Sequence, residues 1–205
     1  MASGKKGLRP GKRFRIWRHQ IARNSYAHFA LILSAVVIVL DQLTKFLVLR
    51  NDTLAGPLCS PTNPRYCGQI EISQIFDLTM VWNRGVSFGL FAGGMTSRIG
   101  LSILQVGVSI ALIYWLASLK RRVAALGVGL IIGGALGNAY DRIVYGAVVD
   151  FLDFSGLYFP WVFNIADAGI NVGVACLLYD AFFVTPRLER EKAASKSSKA
   201  GQEHG

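Results

Sequence analysis

A chain of 205 residues, 52% of them hydrophobic and only 17% charged, with a mean hydropathy of +0.40, is too apolar for a soluble domain of that size. Its formal charge of +10 does not mark a nucleic-acid binder, because the basic residues gather beside apolar runs and no known binding motif accompanies them. What remains is a polytopic membrane protein, since about 20 helical residues cross the roughly 30 Å of a bilayer's hydrocarbon.

Residues 1–26 form a basic tail carrying Lys5, Lys6, Arg9, Lys12, Arg13, Arg15, Arg18 and Arg23, with no acid before Asp41. It is expected to be mobile and to carry no chemistry. The first apolar span covers 27–49. Its basic approach and the run Phe29 to Leu40 imitate a signal peptide, but no small-residue cleavage site follows and Asp41 and Lys45 interrupt the run, so the span is expected to be retained. Asp41 and Lys45, four residues apart, share one helical face and can compensate each other's charge, roughly 12 Å below the helix end at about 1.5 Å per residue. Such a pair serves either as a structural anchor or to hold neighbouring loops or a substrate backbone.

The segment 50–98 holds Pro57, Pro61 and Pro64, then two β-prone stretches at 69–76 and 78–82, then the turn Asn83-Arg84-Gly85. It is expected to fold as a small β-sheet on the membrane face between the first two spanning helices. Cys59 and Cys67 lie in this segment, where an oxidising compartment lets them pair; two free thiols are the alternative, and zinc is not expected without a nearby His. Gly85-Val86-Ser87-Phe88-Gly89 matches the G-x-S-x-G elbow, but that motif needs a His base, and His19, His28 and His204 all belong to the opposite side of the membrane. A Ser87/Lys45 pair is the remaining serine-based alternative.

Three further spans follow at 99–119, 123–140 and 162–184, the third short enough that it is expected to continue past Tyr140. Gly129, Gly133 and Gly137 recur every four residues, the small-residue row that lets helix backbones approach closely. Lys120, Arg121 and Arg122 separate the second and third spans, and Arg187, Arg190, Lys192, Lys196 and Lys199 follow the fourth in a tail, 186–205, also expected to be mobile. Most of the 22 Lys and Arg thus fall on one side, which positive-inside bias makes the cytoplasm, leaving 50–98 and 141–161 outward.

Between the last two spans stand Asp141, Asp150 and Asp153, with Asp167 just inside the fourth. A charge at depth in a membrane costs about 3 kcal/mol on insertion scales, so acids there point to function. Two carboxylates held together share a proton, and one can then act as base on a water while the other acts as acid on a scissile carbonyl, with no metal, cofactor, His or Ser. The residues alone leave three uses open: this chemistry, a proton- or ion-coupled transporter relaying through the same acids, and a structural cluster in which Asp141 is neutralised by Arg142 or Lys45. No internal repeat supports the transporter.

Five blocks then resemble, in order, the motifs of the lipoprotein signal peptidase (signal peptidase II) family: Asp41-Gln42-Leu43-Thr44-Lys45; Asn83 to Gly89; Gly133 to Arg142; Val148-Val149-Asp150-Phe151; and Phe163-Asn164-Ile165-Ala166-Asp167. The resemblance runs from about Asp41 to Asp180; the long basic tail and the Cys59 to Cys67 segment depart from the family pattern. It implies an all-α membrane protein of four transmembrane helices with a small, β-cradle-like periplasmic sheet between helices 1 and 2. It further implies a protease domain over 27–185 with cytoplasmic tails at 1–26 and 186–205, multi-pass in the bacterial inner membrane with its site at the outer face. The implied activity is that of an aspartic endopeptidase without metal or cofactor, removing signal peptides from prolipoproteins on the N-terminal side of a diacylglyceryl-cysteine. Its implied partners are those precursors, membrane lipids and globomycin-type inhibitors. The family's catalytic pair falls on Asp150 and Asp167. Asn138, Asp141 and Arg142 match supporting residues, Asn83 and Asn164 match residues near the substrate, and Asp41 and Lys45 match the family's first-span pair. Asp153 matches no role.

Overall fold

The computed structural model describes residues 10–85 and 95–203. Four helices among them are long and apolar enough to cross a membrane: Ser25–Leu49, Met95–Ser118, Arg122–Val144 and Ile165–Ser195. Their burial is unequal. The best apolar stretch of the third is 72% buried against 28%, 11% and 11% in the others, so this helix is the axis and its neighbours turn their apolar side chains outward to lipid.

In chain order the elements are α1 (Pro10–Ala22), α2 (Ser25–Leu49), β1 (Gln69–Glu71), β2 (Asp77–Asn83), α3 (Met95–Trp115), α4 (Arg122–Val144), β3 (Val148–Asp153), β4 (Val162–Phe163) and α5 (Ile165–Tyr179), which passes through a π turn (Asp180–Val184) into α6 (Thr185–Glu203). The two tails expected to be mobile therefore contain helices. In α1 the apolar Phe14, Trp17 and Ile21 recur at helical spacing, a period hidden by the intervening basic residues.

Helix ends are tied with care. Asn24 caps α2 by accepting from the N–H of Tyr26 and Ala27, while its Nδ2 donates to the carbonyls of Leu116 (3.2 Å) and Leu119 (2.9 Å) at the end of α3. At the other membrane end, Arg98 of α3 donates to the last carbonyls of α4, those of Arg142 (2.6 Å) and Ile143 (2.7 Å), as a cation at a helix C-terminus. Arg121, just before α4, grips Asp180 at the π turn with two guanidinium nitrogens, at 2.8 and 2.6 Å.

The glycine row of α4 does what its spacing predicts. Gly129 lies against the backbone of Ala30, Gly133 against Ser34 and Val37, and Gly137 against the carboxylate of Asp41, so α2 packs on backbone rather than on side chains. A Cβ at Gly137 would sit 2.6 Å from Asp41 Oδ2. Gly137→Ala is therefore expected to cost about 1–3 kcal/mol of stability. Gly100→Ala, whose Cβ meets nothing within 4 Å, should leave the unfolding midpoint unchanged or higher in the same thermal measurement.

The sheet is antiparallel with order β1-β2-β3-β4. It is not confined to the segment between the first two spanning helices, as the sequence suggests, because β3 and β4 come from the connection between α4 and α5. Nor does the first β-prone stretch hold to Phe76: Ser73 accepts from the N–H of Ile75 and Phe76 and bends the chain after Glu71. Leu78 opposes Leu152 and Val81 opposes Asp150, so β2 carries an extra residue, a bulge that sets which β2 side chains flank Asp150. One face packs Met80, Trp82, Val149 and Phe151 onto Val48 and Leu54, with Cys59 and Cys67 at the margin. Those two cysteines form a disulfide across a sequence separation of 8. Replacing both by Ser is expected to lower stability by about 2–3 kcal/mol, the loop-closure entropy of so short a ring, readable as a drop in the unfolding midpoint.

Candidate active site

All four aspartates stand on regular elements rather than in a loop, Asp153 as the last residue of β3. Asp141 lies in the last turns of α4, because that helix runs on to Val144, Asp150 lies on β3, and Asp167 lies in the first turn of α5. Val162 and Phe163, expected at the head of the fourth span, instead form β4, and α5 begins at Ile165 with Asn164 as its cap.

Asp141 is paired with Lys45 of α2, not with its neighbour Arg142. Lys45 Nζ contacts Asp141 Oδ2 at 2.7 Å and Asp41 Oδ2 at 2.8 Å, with all three side chains excluded from solvent. Each carboxylate is completed by other donors. The N–H of Ala166 reaches Asp41 at 2.9 Å, the N–H of Val149 reaches Asp141 at 3.2 Å, and the Gln42 amide spans both acids. Such a buried cluster holds only when every lone pair is met.

From this base two asparagine amides extend to the other acids. Lys45 can only donate, so the atom of Asn138 that faces it at 3.1 Å is Oδ1, and Asn138 must turn Nδ2 outward, where it meets Asp167 Oδ1 at 2.7 Å. The same logic fixes Asn164. Its Oδ1 accepts from the N–H of Asp167 at 2.8 Å, so its Nδ2 reaches Asp150 Oδ1 at 2.6 Å. The two amides meet each other at 3.1 Å, and Asn83 donates to the second oxygen of Asp150 at 2.9 Å. Asp150 and Asp167 are thus each presented by the N–H face of an amide whose orientation is set from behind.

Burial and the charge of Asp167 push the Asp150 carboxyl up to about 7, against the hydrogen bonds from Asn83 and Asn164 and the positive charge of Lys45, which pull it down. Asp150 is buried and Asp167 is partly open. Arg142 lies buried nearby, where its guanidinium donates to Gln105 Oε1 at 3.1 Å and its Nε finds no acceptor among the described residues.

Every expected site residue falls in this constellation. Asp153 does not. Its carboxylate accepts from Thr79 of β2 at 2.6 Å and from the N–H of Ser155 at 2.9 Å, a turn-closing role. Ser87 lies outside the described residues, and Lys45 is fully occupied by two carboxylates and Asn138. Sequence reasoning passed over Gln42 and Gln105. Their signal was available, because an amide in an apolar span must find a partner.

The family model for signal peptidase (SPase) II matches residues 33–183. The chain belongs to that family. A lipoprotein signal peptidase of Caulobacter vibrioides is 46% identical over 170 residues, covering 79% of this chain and 90% of the relative. One of Rhodopseudomonas palustris strain TIE-1 is 42% identical over 165 residues, covering 77% and 94%. Among solved structures, a bacterial membrane enzyme determined by the in meso method at 1.9 Å resolution aligns with a TM-score of 0.60 at 25% identity, over 75% of this chain and 92% of its own. As a signal peptidase II family member, the chain is a membrane-embedded peptidase.

Proposed function

We propose that the protein is an aspartic endopeptidase that removes the signal peptide from diacylglyceryl-modified prolipoproteins, cutting on the N-terminal side of the lipidated cysteine, with Asp150 and Asp167 as its catalytic pair. The observation that carries this reading is the pair of amides that present the two carboxylates, one of them held near 7. Asp150 starts protonated and donates to the scissile carbonyl oxygen while Asp167 takes a proton from the attacking water, so the C–O bond forms as the C=O bond opens. As the tetrahedral intermediate collapses, Asp167 passes its proton to the leaving nitrogen, a hydroxyl proton returns to Asp150 while the C=O bond re-forms, and the C–N bond breaks. Arg142, with Asn138, Asn164 and Asn83, orients the peptide; Asp41, Lys45 and Asp141 hold the amides.

The basic residues support a topology with both termini in the cytoplasm and the sheet and acids at the outer face of the inner membrane. A lipid-bearing cysteine is held in that leaflet, which is where the carboxylates then lie. Residues 27–185 make up the protease unit, with 1–26 and 186–205 on the cytoplasmic side.

The pH dependence follows from the shared proton. Asp150 loses its proton as pH rises through about 7, and with it the acid that the reaction needs. kcat/KM, which reports the substrate-free enzyme, is expected to fall by about tenfold for each pH unit above that value, and a kcat/KM still flat two units higher would remove Asp150 as the acid. The function itself is tested by incubating the detergent-solubilised protein with a prolipoprotein in its diacylglyceryl-modified and unmodified forms. Release of the signal peptide from the modified form alone is expected, and intact modified precursor after prolonged incubation refutes the assignment.

A further inference from the structure

Helix α1 has no part in the site and lies at the opposite membrane end, yet it is docked. Trp17 Nε1 donates to the carbonyl of Tyr114 at 2.9 Å, and the Trp17 ring stacks between those of Phe14 (5.5 Å) and Tyr114 (6.2 Å). Tyr114 is near the end of a spanning helix, where the chain leaves the bilayer toward Lys120 and Arg122, so this contact fixes the depth of α1 at the membrane boundary. The ties from Asn24 to Leu116 and Leu119 hold the following turn to the same helix end.

Two features of this membrane end stay exposed after the docking. Phe14 is 58% exposed, Tyr114 64% and Trp115 42%, an aromatic group beside the groove between α1 and α3. Lys12, Arg15, Arg18, Arg23, Lys120 and Arg122 are exposed at the same end and make no ion pair among the described residues. Aromatic rings at a bilayer boundary beneath a row of unneutralised cations fit one surface, an anionic leaflet.

We infer that α1 is an interfacial helix that lays Phe14 and Trp17 into the headgroup boundary and binds anionic phospholipid through Lys12, Arg15 and Arg18. The inference does not depend on the catalytic assignment, since no residue of α1 touches the acids.

The test uses the full chain in nanodiscs of phosphatidylcholine alone or of equal parts phosphatidylcholine and phosphatidylglycerol, with deuterium uptake followed over residues 11–22. Uptake is expected to be at least about tenfold slower in the anionic discs, and the Lys12→Gln/Arg15→Gln/Arg18→Gln variant should erase that difference while cleaving its substrate at the wild-type rate in detergent. Equal uptake in the two discs, or a difference that survives the triple substitution, overturns the inference and leaves α1 held by Trp17 alone. Protection in neutral discs by an added RNA oligomer, with none from phosphatidylglycerol, overturns it in favour of nucleic acid.

Discussion

Asp150→Asn and Asp167→Asn are each expected to slow signal-peptide release by at least roughly a thousandfold, the upper range for loss of a positioned acid or base. The two carboxylates act as a unit, so the double variant should be no slower than either single one. The fold should survive. An amide in place of the Asp150 carboxylate keeps one acceptor oxygen where the acid accepts from both Asn83 and Asn164, a loss of about 1 kcal/mol offset by removing a buried carboxylate. An amide in place of the Asp167 carboxylate can still accept from Asn138. Single-turnover cleavage together with thermal unfolding separates chemistry from folding. A folded variant of either kind that cleaves within tenfold of the wild-type rate would remove that residue from the pair.

Lys45→Met has the largest expected effect on stability. It takes away the cation shared by Asp41 and Asp141 and strands both carboxylates where solvent cannot reach them. Breaking a buried ion pair from one side costs about 3–5 kcal/mol. The loss also leaves Asn138 Oδ1 with Asn164 as its one remaining donor, which loosens the amide that presents Asp167, so cleavage should fall with stability. Adding Asp141→Asn should restore part of the unfolding midpoint, because one stranded charge is then gone. A Lys45→Met protein that melts at the wild-type temperature would show that the acids do not need the lysine.

The spanning helices were legible in the sequence because lipid demands length and apolarity, two properties that need no knowledge of neighbours. Asp41 and Lys45 were legible as a pair for the same reason, four residues on one helix being a local fact. The third partner, Asp141, was not, since nothing local says whether it turns to Arg142 beside it or to Lys45 on another helix. Packing through Gly137, which brings α2 against α4, decides that. The sheet was half legible: β2 follows from its own β-prone run, whereas β3 forms on the edge that β2 offers and the two-residue β4 on the edge of β3. Helix α1 escaped because its apolar period is masked by arginine and lysine, which reads as a solvated tail until Trp17 finds Tyr114.

The amides of Asn138 and Asn164 join Asp150 to Asp167 without a break, yet neither side chain gains or loses a proton at any working pH. The link is electrically an insulator. A proton leaving one carboxylate cannot pass along it to the other, so in the proposed mechanism protons cross the gap on water and on the peptide themselves.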